Sequence, residues 1–188
     1  MTSNPVVAAT QNWLIQFIIA QNICPFARHV HENDAVRYQV VASLKSEDCL
    51  QALMEECRYL DNQPGCETTL LIMPETCADF DDFLDFLAIA EQLLHDQGYE
   101  GIYQLASFHP DYCFADAPAD DPANYTNRSP WPMLHIIREA SIEQALRSYE
   151  NPEQIPERNI ELTRKLGLPL LQAQLLALRN SNQNPQSS

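Results

Sequence analysis

The chain has 188 residues, 45% of them hydrophobic, a net charge of −15 and a pI near 4.5. That length and apolar content fit one domain with its own core and exclude a wholly disordered chain. The charge repels nucleic-acid backbones and anionic membranes, so neither is expected as a partner. It still leaves room for an anionic small molecule held by a local arginine or a helix N-terminus.

No basic segment precedes the apolar stretch Trp13–Ala20, which Gln16 interrupts, so neither a leader nor a membrane span is expected and a cytoplasmic location is the default. Residues 1–9 read as frayed and 181–188 as a flexible polar tail, leaving about 10–180 ordered within a single domain spanning 1–188. The spacing of Trp13, Leu14, Phe17 and Ile18 predicts an amphipathic helix capped by Thr10 and ending before Pro25. Tyr38–Ser43 reads as a strand. Ser46 then caps a helix to about Leu60, with Glu47 and Asp48 at its positive end. Pro64-Gly65 is a turn, and the apolar run Thr68–Met73 fits a strand covered on both faces.

Asp79 opens the clearest helix, with Phe80, Phe83, Leu84, Leu87 and Leu94 as its inner stripe and Gly98 in the left-handed terminal position. Ile102–Phe108 is a third strand. "PMLHIIRE" reads as a fourth, ending near Glu139, with a fresh cap at Ser141 and a helix from Ile142. Two further helices follow, about 156–166 and 168–179. The alternation predicts an α/β (or α+β) fold: a single-layer mixed sheet of about four strands packed by helices, with extra N- and C-terminal helices.

Candidate chemistry concentrates between the third and fourth strands. Sites in open α/β sheets form beyond the carboxyl ends of parallel strands, and long loops without regular structure tend to be functional. His109 lies just past the third strand. It reads as a general base or metal ligand, or as a loop histidine donating to a backbone carbonyl. His135 lies in an apolar run and reads as a core histidine with one partner. On a strand it points away from Arg138. Asn124 and Asn127 suit turns that bond to their own backbone. Arg128 either pairs with a neighbour among Asp111, Asp116, Asp120 and Asp121 or captures an anion bidentately.

Cys24 is one of six cysteines (with Cys49, Cys57, Cys66, Cys77 and Cys113), none in a C-x-x-C pair, and most are expected to be free thiols. Cys49 and Cys57, eight apart in a helical pattern, read as packing. A Cys24 thiolate would be helped by Arg28 but not by the first helix, whose exit end is negative. Cys113 stands four residues after His109, a spacing that invites zinc with Cys24 as third ligand. Structural zinc sites more often carry closely paired cysteines, and no metal or other cofactor is expected. In "PERNI", Pro156 suits a first helical turn, and Arg158 either joins Arg128 at an anion site or pairs with Glu161.

Four strings together, "CPFA", "FHPDY", "NYTNRSPWPMLHIIRE" and "PERNI", give the chain a further reading. It resembles a bacterial family of about this length, catalogued as domain of unknown function fourteen-fifteen, from the first helix to about Gly167. The resemblance implies no activity. It implies that Gln usually stands where Cys113 does, which weighs against both a zinc site and a Cys24–Cys113 disulfide.

The functional expectation is a small cytoplasmic enzyme acting on an anionic small molecule. Arg128 and Arg158 would bind the anion and His109 would serve as general acid or base. Asn124 and Asn127 would orient groups, Tyr112 and His135 would line the site, and Cys24 would be the nucleophile. This expectation requires Cys24, His109 and Arg128 to converge on one pocket. The alternatives are a non-catalytic ligand-binding or protein-interaction module, whose charge suits a basic partner, and a thiol redox protein using Cys24.

Overall fold

The computed structural model describes residues 4–180. Expectations for residues 1–3 and 181–188 fall outside that range. The first helix, α1 (Pro5–Trp13), begins earlier than Thr10. Asn4 is its cap, accepting the Val6 N–H at 2.9 Å, and Pro5 stands in the first turn where a missing N–H costs nothing. Thr10 lies mid-helix and buried, its hydroxyl donating to Val6 O. The helix continues as a π segment, Leu14–Ile19, marked by the Ala20 N–H bonding to Ile15 O. Widening the turn there buries Leu14, Phe17, Ile18 and Ile19 together.

A short helix, α2 (Ala27–Glu32), follows Pro25. It buries no residue, so no apolar periodicity announced it. Strand β1 (Val36–Val40) starts two residues before the expected Tyr38–Ser43 span and ends three residues short of Ser43. Helix α3 (Ser46–Asn62) is capped by position Lys45 rather than Ser46. No side chain caps the first turn in place of Ser46; the Ser43 hydroxyl accepts the Lys45 N–H just before the helix and donates to the Asp48 carboxylate. Strand β2 (Thr68–Ile72) is buried throughout, as its apolar run requires. Helix α4 (Phe80–Asp96) is capped by Asp79, which accepts the Asp81 and Asp82 N–H groups. Its buried stripe is Phe83, Phe86, Ala90 and Leu94, while Leu84 is 42% exposed. Strands β3 (Tyr103–Phe108) and β4 (Met133–Arg138) precede α5 (Glu139–Arg147), α6 (Ile155–Leu166) and α7 (Leu168–Asn180). Helix α5 begins before Ser141, whose hydroxyl donates to Glu67 instead of capping.

The sheet order is β1-β2-β4-β3, with β1 parallel to β2 and β4 antiparallel to both its neighbours. The carboxyl ends of β1, β2 and β3 therefore share one edge, across which Val40, Ile72, Met133 and Phe108 align in register. Helices α3 and α4 cover one face, packing Leu53, Leu60, Phe83 and Ala90 on Leu71, Leu134 and Ile136. α1 with its π segment and α7 cover the other, packing Trp13, Phe17 and Leu171 on Leu70, Ile72 and Met133.

Arg138 closes the opposite end of the sheet. It projects from β4 toward α3 and donates to Leu60 O, to Cys66 O at 3.1 Å and to Tyr103 Oη at 3.2 Å. It thus adds a charged donor to carbonyls at and just beyond the end of α3, where Leu60 O also accepts the Gln63 N–H. Replacing Arg138 by Met is expected to cost about 2–4 kcal/mol in urea unfolding, because several buried acceptors lose a charged donor. Lys should restore less than half of that, since an ammonium lacks the fork. Equal midpoints for all three proteins would rule this role out.

Candidate functional site

Three loops meet at the carboxyl edge, and side chains lock them together. The Thr76 hydroxyl, after β2, donates to Ser43 O, after β1. His109, after β3, reaches Cys77 O with Nε2 at 3.0 Å and accepts the Asp111 N–H at Nδ1 at 3.0 Å. This bonding fixes the tautomer with the proton on Nε2 and leaves neither nitrogen free. The ring is fully buried between Phe80 and Phe83 of α4, and burial pulls its pKa below 6.5.

The rest of the loop, residues 109–132, is stapled by its own side chains. Asn124 is buried; its Oδ1 accepts the Phe114 N–H at 3.0 Å and its Nδ2 donates to Pro118 O at 2.9 Å. Asn127 Nδ2 donates to Ser107 O at 3.2 Å, and the Asn127 carbonyl accepts the His109 N–H. Arg128 bonds Tyr112 O through Nε at 3.1 Å and Ala119 O through Nη2 at 3.0 Å, with its guanidinium 4.7 Å over the Tyr125 ring. None of the loop aspartates pairs with it. Asp121 instead caps the short 3-10 turn Pro122–Thr126 and pairs with Arg164 of α6 at 2.7 Å. Tyr112 contributes its carbonyl to Arg128 and its ring to Phe80 and Phe114.

Arg128 also lines a crevice under α7 with Trp13, Phe17, Tyr125, Leu171 and Gln174, and the cavity holds only about 10 Å³. That is room for about one water molecule. The Gln174 Oε1 in its wall is buried with no hydrogen-bond partner among the described residues. Nothing in the local sequence of α7 singles out Gln174; only the fold brings it to Arg128.

Cys24 and Arg158 form a separate group. Asn159 Nδ2 donates to Ile23 O at 2.7 Å, and Arg158 donates to Asn22 O and to Tyr149 Oη, so "CPFA" and "PERNI" do meet. Because α2 starts at Ala27, the Cys24 thiol receives the N–H groups of Phe26 and Ala27. The expected absence of helix assistance is thus reversed. Burial nevertheless dominates and raises the thiol pKa above 9.0, with those N–H groups and Arg158 opposing it. Arg158 lies clear of Glu161 and shares no partner with Arg128. Cys24 packs on the α1 face and His109 on the α4 face, so the sheet separates them. The three residues required to converge do not. All six cysteines are free thiols, and Cys113 Sγ donates to Ala117 O at 3.4 Å.

His135 faces the α1 side, between Leu70 and Ala106 in register and 6.4 Å from the Phe108 ring. It has no protein hydrogen-bond partner among the described residues, one fewer than expected, and burial drops its pKa to about 4. Tyr38 shares its row across Leu70, with a buried hydroxyl that is also unpartnered.

These features define an α/β protein with a mixed open sheet and a stapled loop at its carboxyl edge. Its family is the one described as protein of unknown function (DUF1415), to which the chain belongs, with residues 5–173 matched. No curated protein and no solved structure matches it. No helix among the described residues is long and apolar enough to cross a membrane.

The two lowered imidazoles set a pH dependence. Unfolded, each protonates near 6.5; folded, each resists. Their contribution to stability is complete above pH 6.5 and is lost as pH falls below it, for His135 down to about 4. The midpoint of thermal unfolding should therefore drop between pH 6.5 and about pH 5, where most carboxylates remain ionised. His135→Leu should flatten that drop; an unchanged slope would show that His135 does not contribute.

Proposed function

We propose that the protein is a cytoplasmic binding module for a small anionic molecule, with Arg128 as the anchoring cation and the stapled loop as its rigid frame. One observation carries this reading: Arg128 stands among four loop aspartates in a chain of net charge −15 and pairs with none of them. Its two bonds go to neutral carbonyls, and its Nη1 has no hydrogen-bond partner among the described residues. A guanidinium held in this way keeps its charge and part of its fork for a carboxylate or phosphate. Binding is favoured over catalysis because His109, the loop's one imidazole, has both nitrogens engaged. Asn124 and Asn127 likewise serve the backbone.

Thermal unfolding with inorganic phosphate, pyrophosphate and citrate tests the reading. At least one should stabilise the protein beyond chloride at matched ionic strength, by about 2.7 kcal/mol at a hundredfold excess over Kd. Arg128→Met should fold and lose that gain, whereas Arg158→Met should keep it. A gain that survives in Arg128→Met would refute Arg128 as the anchor, and no gain with any of the three would refute anion binding.

A second reading, thiol chemistry at Cys24, is favoured by the two backbone N–H groups and Arg158 around the sulfur. It is opposed by burial, which keeps the thiol protonated at neutral pH. Iodoacetamide labelling of Cys24 should therefore rise only above pH 9.0. Arg158→Met should move that rise further up by removing a charge that favours the thiolate. Fast labelling at neutral pH would instead revive the nucleophile.

A further inference from the structure

We propose that the free edge of β3 is a docking site for an extended basic segment of a partner protein, which would add to the sheet as a fifth strand. β3 is an outer strand of the sheet. The Glu139 N–H bonds to Ile102 O, so in this antiparallel pairing Gln104, Ala106 and Phe108 direct their peptide groups toward β4. Tyr103, Leu105 and Ser107 therefore direct theirs outward.

Two of those outward groups are taken within the chain. The Tyr103 N–H bonds to Tyr99 O, and the Ser107 carbonyl accepts from Asn127 Nδ2. Between these closures, the Tyr103 carbonyl, both groups of Leu105 and the Ser107 N–H have no partner among the described residues. An incoming strand centred on Leu105 could make bonds to all four. Edges of this kind are usually blunted by Lys, Pro or an inward charge. "YQLASF" contains none of these, and Gln104 beside the gap is exposed.

Charge selects the occupant. Helix α4 packs over β3 and β4 and exposes Asp81, Asp82, Asp85, Glu91 and Asp96, with no Lys or Arg in its sequence. A second copy pairing at the same edge would bring two such helices to one sheet face and repel. A segment with lysine or arginine at alternate positions would set cations toward α4 and its backbone on Leu105.

The probe is a fluorescein-labelled peptide alternating arginine and valine, titrated by anisotropy against the full chain, with a glutamate–valine peptide as its counterpart. The basic peptide should bind at least tenfold more tightly. N-methylation of the amides on its sheet-facing edge should cost at least tenfold, with no change to the protein. Leu105→Pro should cost as much, since the backbone group it removes is an outward N–H, where an edge strand tolerates proline, and a Leu105→Ala control reports the loss of the side chain that packs on the core. Leu105 amide exchange should slow on binding in the unmodified chain. Absence of binding, equal binding of both peptides, or insensitivity to N-methylation would each overturn the proposal. So would sedimentation showing that the free protein dimerises through this edge, or peptide binding only after residues 181–188 are removed.

Discussion

The structure turns on how residues 109–132 satisfy their own peptide groups. β3 and β4 are adjacent antiparallel strands with Phe108 opposite Met133, a geometry that a two-residue turn would close. The chain instead makes a long excursion with little regular structure, and buried peptide groups left unpaired there would cost stability at every position. Side chains meet that demand. Asn124 supplies an acceptor and a donor in the middle of the loop, Asn127 and His109 tie its two ends together, and Arg128 holds two carbonyls. His109 also fastens the loop to the neighbouring one through Cys77. Polar density in this stretch is thus largely the density needed to hold an irregular chain still, and Arg128 is the member with charge to spare.

The fold itself was legible where periodicity was strong. The uniformly apolar β2, the capped α4 and the strand reading of "MLHIIR" all follow from side-chain spacing that burial enforces. Starts and caps were less legible. Ser46 and Ser141 look like caps, yet Ser43 bonds the Lys45 N–H just before α3 and Ser141 bonds Glu67, because a hydroxyl has several local partners and only the tertiary path chooses among them. α2 left no signal because it buries nothing, and missing it inverted the electrostatics of Cys24. In the candidate site, the sequence identified the residues but not their partners. His109 is where a strand end puts it and Arg128 lies later in the same loop, yet they serve different neighbours. The meeting of Asn159 with Ile23 spans 136 positions and has no local signature.

Charge is divided between the two helical layers. No residue before Arg28 is charged, and α7 carries only Arg179, so the α1 side is nearly neutral. The acids gather on α3 and α4 on the other side. Arg128 sits with Trp13 and α7 on the neutral side, with the sheet between it and the carboxylates of α3 and α4. One molecule can therefore present a nearly neutral face around Arg128 and an acidic face on α3 and α4. A net charge of −15 describes neither surface by itself.

The central place of β4 also bears on how the chain comes to be folded. β1, α3, β2, α4 and β3 are all made before Met133, yet β2 and β3 touch only through β4. Until residues 133–138 leave the ribosome, the β1–β2 pair and the lone strand β3 have no common partner, and four apolar side chains of the core are still to come. Closure of the core is thus deferred to the last third of synthesis, and the stapled loop is the segment that must be in order when the missing strand arrives.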